Sequence, residues 1–479
     1  MEEGRNMSHM MFMTSYMIGR MRRIYFMAIP ETKEDFKKSR VCYTVSDTAA
    51  QTIGQLAGGT FLATLMSFIG VSDANIGIIT SLASLAALSQ LFAMSYTRKL
   101  KKCKLFVCFT ALQRILLSFL YFIPFLPLGS SVKNALLILC YFLAQIFVQI
   151  GTPATQDWLA SLVPSRLRGR YLAIKDSFAV FGVATTMLIA GIILDYWKTK
   201  NLYTAFAVIG VVIFILVIVN VIGFSMMKEP KVSYLNKDGK EMHGILAKKA
   251  KREFVMEKQE SLIMEFKLAF SSRKFRLAFF LNCLYMTAFY IAAPFNASYQ
   301  IKELKLPYTY IMVVGFLANI IRISMTPKVG KLGDKYGMAR VLKYALFSLG
   351  INYLLMAFTV PGNARVMFVI AAVFSSMAWS FIGIGLFGVQ LDFLNRNHRM
   401  AQLTILLSIS GAYGFSVSWV GGRILDVLQN LDLHLGGVPI YAQQVLNVVG
   451  FCMILIVVCF IKFVVQKEKV VVNRVDGKV

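Results

Sequence analysis

Gly330-Lys331-Leu332-Gly333-Asp334-Lys335-Tyr336-Gly337-Met338-Ala339-Arg340 stands between two long apolar runs. The stretch predicts a tight polar loop. Gly330 and Gly337 permit backbone conformations and close approaches that a Cβ would obstruct. Asp334 can accept backbone N–H bonds, and Lys331, Lys335 and Arg340 suit the cytoplasmic face of a membrane. On either side of the stretch the chain is unusually apolar. The 479 residues are 57% hydrophobic and 16% charged, with a mean hydropathy of +0.63, which the surface of a soluble domain would not tolerate. The expected fold class is an all-α polytopic membrane protein.

The formal net charge of +27 could suit nucleic acid. The basic residues, however, lie in short segments between apolar runs, where the positive-inside bias of a membrane protein accounts for them. No nucleic-acid partner is expected. The cysteines at 42, 103, 108, 140, 283, 452 and 459 show no paired metal spacing, and most fall inside apolar runs, where Cys behaves as a small hydrophobe. His9, His243, His398 and His434 are scattered over tail and loop positions. Neither a metal site, a disulfide framework nor an acid–base constellation is indicated, and no cofactor is expected.

About twelve apolar runs begin near 44, 73, 104, 132, 170, 202, 276, 306, 340, 365, 400 and 443. At about 1.5 Å per residue each is long enough to cross roughly 30 Å of hydrocarbon. Lys and Arg concentrate in the opening tail, in 97–102, 165–170 and 227–275, and in Asn395-Arg396-Asn397-His398-Arg399, all between even and odd spans. Turns such as Gly129-Ser130-Ser131 and Pro361-Gly362-Asn363 are poorer in charge. Both termini are therefore expected in the cytoplasm, beneath a cell membrane.

Residues 1–43 read as a cytoplasmic tail, since Arg20, Arg22, Arg23, Lys37, Lys38 and Arg40 interrupt its apolar residues before a signal-peptide core can develop. Six spans over 44–226 and six over 276–466 flank a basic central loop at 227–275, and 467–479 form a C-terminal tail. Within the central loop, Leu262, Ile263, Phe266, Ala269 and Phe270 recur at helical spacing beside Lys267, Arg273 and Lys274. Either an amphipathic helix on an anionic inner leaflet or a solvated linker fits them. The connection from Leu428 to Pro439 reads as a longer external loop without evident chemistry.

The two halves carry a trace of repetition. Asp157-Trp158-Leu159 ends the fourth run and Asp392-Phe393-Leu394 the tenth; each is followed by a basic loop and then by Gly191-Ile192-Ile193-Leu194-Asp195 or Gly422-Arg423-Ile424-Leu425-Asp426. Two matches in the same order favour duplication, the arrangement by which many transporters place a site between related bundles.

With these residues in view the chain resembles the major facilitator superfamily of secondary transporters. The signature loop of that family, Gly-x-x-x-Asp-(Arg/Lys)-x-Gly-x-x-(Arg/Lys), is matched by Gly330, Asp334, Lys335, Gly337 and Arg340. Its first-half counterpart, Tyr96-Thr97-Arg98-Lys99-Leu100-Lys101-Lys102, keeps the charge but has neither glycine nor aspartate. The resemblance implies two pseudo-symmetric six-helix bundles that rock about one central site, with no covalent chemistry, so an enzyme is not expected. It also implies a cytoplasmic latch in which Asp334 accepts amides near Arg168, Gly169 and Arg170 at the start of the fifth span. An acid at a helix N-terminus is favoured by roughly 0.3–1 kcal/mol. Asp176 and Arg322 lie at matching depths of about 9 and 8 Å, which predicts a second pair between spans five and eight.

In that fold spans one, four, seven and ten line the cavity. Gln51 and Gln55 in span one, and Gln145 and Gln149 in span four, are paired at i and i+4 on one face. Span seven supplies Asn282, Tyr285 and Tyr290, with Asn296 nearer the outside, and span ten supplies Ser375, Ser376 and Trp379. Amides, hydroxyls and an aromatic plane suit a neutral, sugar-like solute, and the same residue types also bind helix to helix. Arg114 is the deepest clear charge, about 15 Å from Lys104, and a structural partner or snorkelling is favoured over substrate contact. Coupling to a proton through Asp47 or Asp176, coupling to sodium, and no coupling all remain open. Uptake of a small solute by a monomer is the leading reading. Drug or metabolite efflux is the alternative, weakened because Phe181-Gly182-Val183-Ala184 and Ala190-Gly191-Ile192 lack a proline. A non-transporting receptor or a lipid flippase is the reading from another class.

Overall fold

The computed structural model describes residues 26–28, 33–97, 103–162, 168–198, 200–228, 232–234, 262–394, 399–431, 434–435 and 438–467. Twelve helical passes are present among them. Spans one to four are Lys33–Leu56 continued by Gly59–Ile69, Asp73–Leu85 continued to Ser89–Thr97, Lys104–Leu112 continued to Leu120–Phe125, and Ser130–Leu162. Spans five to eight are Arg168–Lys198, Leu202–Met226, Arg273–Tyr290 continued to Tyr299–Glu303, and Tyr308–Tyr336. Spans nine to twelve are Met338–Ala357, Ala364–Trp379 continued by Ile382–Phe393, Arg399–Asn430, and Ala442–Phe460 continued by Ile461–Val465. Eleven of the described helices are long and apolar enough to cross a membrane. The ninth is the remaining pass, a 20-residue helix with Arg340 and Lys343 near its start.

Span six shows why these sequences become bilayer helices. Asn201 opens it, its side chain accepting from the Tyr203 amide at 3.1 Å. Phe206, Ile209, Ile213 and Val217 are buried against the bundle, while Val211, Ile215, Ile218 and Ile222 are exposed. An exposed apolar stripe of this length is stable only against hydrocarbon.

The expected loop at 330–340 is largely helix. Span eight runs on to Tyr336, and Gly337 alone, at φ 91° and ψ 138°, turns the chain into span nine. That conformation is nearly confined to glycine, so one residue suffices where several were expected. Gly330 is helical, and an added Cβ there would meet open space. The side chains of Asp334, Arg168 and Arg170 and the surroundings of Gly169 lie outside the described residues, and with them the expected cytoplasmic latch.

The first half packs around Phe61, Leu65, Leu120, Tyr121, Ile209 and Ile213, and this core continues without a break into Tyr299, Leu304, Tyr308 and Met312 of the second half. A second core joins Phe275, Leu281, Leu346, Tyr353, Phe381 and Leu446. The halves therefore touch through the end of span seven and the start of span eight, on the side opposite the start of span one. A Cβ on Gly191 would come within 2.7 Å of Met312, and one on Gly77 within 2.1 Å of the Phe295 ring, so spans five and eight, and two and seven, are in close contact there.

Two short antiparallel strand pairs lie outside the bundles. Phe26–Ala28 pairs with Val232–Tyr234, Met27 opposite Ser233, which ties the opening segment to the central connection. His434–Leu435 pairs with Val438–Pro439 within the connection between spans eleven and twelve. Leu262–Ser271 is helical. Phe270 packs on Phe275 and Phe279 of span seven, while Ile263 and Met264 remain exposed.

Candidate functional site

The side of the protein opposite the start of span one is held shut by polar contacts between the halves. Span eight begins after Pro307, which supplies no side-chain cap. Its cap comes from the other half: the Asp195 carboxylate, near the end of span five, accepts from the amides of Tyr308, at 3.0 Å, and Thr309. The Thr64 hydroxyl of span one donates to the Tyr308 phenol at 3.0 Å. At the start of span two, Asp73 accepts from the Ser298 hydroxyl at 3.0 Å and pairs with Lys302. Asp73 is only 9% exposed, so this ion pair is shielded from screening.

Toward the start of span one the charges are arranged differently. Lys175 bridges Asp47 at 2.7 Å and Asp176 at 2.8 Å. The expected Asp176–Arg322 ion pair is not formed. The contact partner of Asp176 is the adjacent Lys175 on its own helix, which needs no closure of the two halves to reach it.

Arg322 instead borders an open recess of about 350 Å³ formed by spans seven to ten. Asn296 and Gln300 come from span seven, Asn319 and Arg322 from span eight, Asn352 and Tyr353 from span nine, and Ser375, Ser376 and Trp379 from span ten. Asn296 is fixed by the Asn447 amide at 2.9 Å, and Trp379 stands edge-on to Phe289, 5.8 Å between centroids. The Tyr353 hydroxyl is buried without a hydrogen-bond partner among the described residues. Amides, hydroxyls, a cation and an indole face thus converge on one small volume, the usual composition of a small-molecule site.

Of the residues expected to meet a substrate, Asn296, Ser375, Ser376 and Trp379 line this recess. Tyr290 packs its ring against Gly414 of span eleven. Gln145 is half-buried beside Tyr141. Gln51 and Gln55 are exposed, and Gln51 donates to Asp47 at 2.7 Å. Gln149 accepts from Gln90 and donates to the Ala83 carbonyl at 3.3 Å. Asn282 is fully buried, donating to Ser410 and accepting from Gln390 at 2.9 Å. Tyr285 is buried, its ring stacked on Phe289 at 6.1 Å. Gln149 and Asn282 therefore bind helix to helix within their own halves. Arg114 has a structural partner, donating to Asn220 at 3.2 Å, and Asn220 is locked to Ser46 at 2.8 and 2.9 Å.

Asn319, Asn352 and Gln300 were not singled out in the sequence. Asn319 stands three residues before Arg322, a spacing that puts both on one helix face, and this signal could have found them. Span nine carries nothing comparable, since Asn352 is a lone amide in an apolar run.

The architecture is shared with solved structures. A nucleoside transporter, NupG, solved as a point mutant, superposes with a TM-score of 0.63 at 12% identity, covering 88% of this chain and 99% of that one. The xylose transporter XylE from E. coli, in a partially occluded inward-open conformation, gives 0.60 at 12% identity, with 90% and 98% covered. A POT family transporter in complex with a thioalcohol-conjugated peptide gives 0.58 at 12% identity, with 92% and 99% covered. No curated protein matches the sequence. The sequence model of the Major Facilitator Superfamily, however, matches residues 21–422.

The chain belongs to the major facilitator superfamily. As a member of that superfamily it is a multi-pass membrane protein of the transporter class, and family and fold both point away from an enzyme. At these identities the superpositions establish the fold and leave the cargo open, so the substrate has to be argued from the recess itself.

Proposed function

We propose that this protein takes up a small, polyhydroxylated, sugar-like solute across the cell membrane by alternating access, with both termini in the cytoplasm. The observation that carries the reading is the recess of spans seven to ten. Asn296, Gln300, Asn319 and Asn352 offer paired donors and acceptors, and Trp379 offers an apolar plane. Amides match vicinal hydroxyls, and an indole covers the C–H face of a sugar ring. These groups account for the sugar-like part of the solute and leave its charge open. The Asp195 and Asp73 contacts close the outer side between the two halves in this conformation. The basic segments between even and odd spans support that orientation.

If transport is proton-coupled, Asp47 is the candidate carrier. It lies about 15 Å along the helix from Lys37, and its carboxylate is engaged by Lys175 and Gln51. Among the solved relatives is a D-xylose–proton symporter.

The test is binding and counterflow with the purified protein, using glucose, xylose and a nucleoside against amino acids and lipophilic cations. Stabilisation by the polyols that is lost in Trp379→Ala supports the reading. Stabilisation by lipophilic cations alone moves the function to efflux. Saturable binding without counterflow would make the protein a receptor.

A further inference from the structure

The recess is bordered by a cation that has no direct ion-pair partner among the described residues. The Arg322 guanidinium forms no ion pair and no hydrogen bond among them, although the side chain is partly buried inside a membrane helix. Asp176, the carboxylate expected to pair with it, is held at 2.8 Å by Lys175. Arginine placed in hydrocarbon without a partner is costly, and intramembrane charge of this kind usually marks a substrate or ion pathway. The Arg322 guanidinium therefore lacks a direct partner among the described residues, at the edge of a cavity whose wall also carries the amides of Asn319 and Asn352.

We propose that the solute bound here carries an oxyanion, a carboxylate or a phosphate, that docks on Arg322 while Asn319, Asn352 and Trp379 hold its polyhydroxylated body. The inference rests on the recess being the solute site and adds the charge to that reading. The planar guanidinium fork matches the two oxygens of a carboxylate or phosphate. Among the described residues, no carboxylate lines the recess to compete for it. Arg322 then selects among sugar-like compounds by charge, and a neutral polyol would leave it unmatched, the circumstance that gives a polar site its discrimination. The substrate class is sugar acids or sugar phosphates.

The experiment measures binding of glucose, glucuronate, glucose 6-phosphate and inorganic phosphate to the purified full-length protein in lipid nanodiscs. Wild type is expected to bind glucuronate or glucose 6-phosphate on the order of tenfold more tightly than glucose, and the tighter of the two identifies the oxyanion. Arg322→Gln should erase that preference while glucose binding persists, and Arg322→Lys should keep part of it. Inorganic phosphate should bind weakly, since it lacks the body that the amides and the indole hold. Equal affinities for glucose and both anions, no binding of either anion, or an anion preference that survives in Arg322→Gln would overturn the proposal. Failure of the underlying reading looks different: binding of every sugar would then persist undiminished in Trp379→Ala and Asn352→Ala.

Discussion

The carboxylate of Asp195, on the last turns of span five, caps the N-terminus of span eight through the amides of Tyr308 and Thr309. A cap supplied by the opposite half exists only while this side of the protein is shut, so its removal should, in the orientation proposed above, favour the outward-open state. A side-chain cap contributes about 1 kcal/mol and an acid at a helix N-terminus up to about 2 in partly buried geometry. Asp195→Ala is therefore expected to raise the outward-open to inward-open ratio about 5- to 30-fold. Spin labels at exposed Lys200 and Lys305, read by pulsed distance measurement in lipid, should show a longer population growing. An unchanged distance distribution would remove Asp195 from the gate.

Gly337 and Gly330 belong to one signature but do different work. Gly337 turns the chain at φ 91°, where a Cβ costs about 1–3 kcal/mol, whereas Gly330 is helical with open space around it. Gly337→Ala should lower the apparent melting temperature and the yield of folded protein, and Gly330→Ala should leave both near wild type. Equal losses in the two variants would mean that the turn conformation is not what the first position of the signature lacks.

The spans were legible because a bilayer helix must satisfy its backbone internally and show apolar side chains outward, and both demands are written in residue composition. Every span but the first begins within a few residues of its expected position; span one starts earlier, at Lys33, where charged residues continue the helix beyond the apolar run. The site was less legible because a membrane amide looks the same in sequence whether it meets a ligand or a neighbouring helix. Asn282 and Gln149 turned inward to Ser410, Gln390 and Gln90, while Asn319 and Asn352 faced the recess. A carboxylate capping a helix across the two halves was expected at Asp334 and span five. The same physics is seen on the other side of the membrane, at Asp195 and span eight, where no basic loop drew attention to it.

The cluster of Asn282, Ser410 and Gln390 is expected to be structural. Asn282→Ala removes both of its hydrogen bonds and strands the Gln390 amide inside the bundle, which costs about 1 kcal/mol or somewhat more. The expected outcome is a lower melting temperature in detergent with solute affinity unchanged within about twofold, the reverse of Trp379→Ala. A large loss of affinity at unchanged stability would return Asn282 to the binding surface.

Asp47 ties span one to span five, which makes it the carboxylate with which to test the proposed coupling. Its Oδ2 holds Lys175 Nζ and Gln51 Nε2, each at 2.7 Å, and Lys175 also reaches Asp176 at 2.8 Å. Neutralising Asp47 weakens its hold on Lys175, which stays with Asp176, so a proton arriving on span one loosens its tie to span five. Span five also carries Asp195 at its outer end, so the loosening acts on the same helix that closes the outer gate. Asp47→Asn mimics the protonated form permanently. The variant should lose uphill accumulation driven by an inward pH gradient in proteoliposomes, yet keep downhill exchange within a few-fold of wild type. Gradient-driven accumulation that survives in Asp47→Asn would place proton coupling elsewhere in the protein, or replace the proton by sodium if a sodium gradient alone restores accumulation.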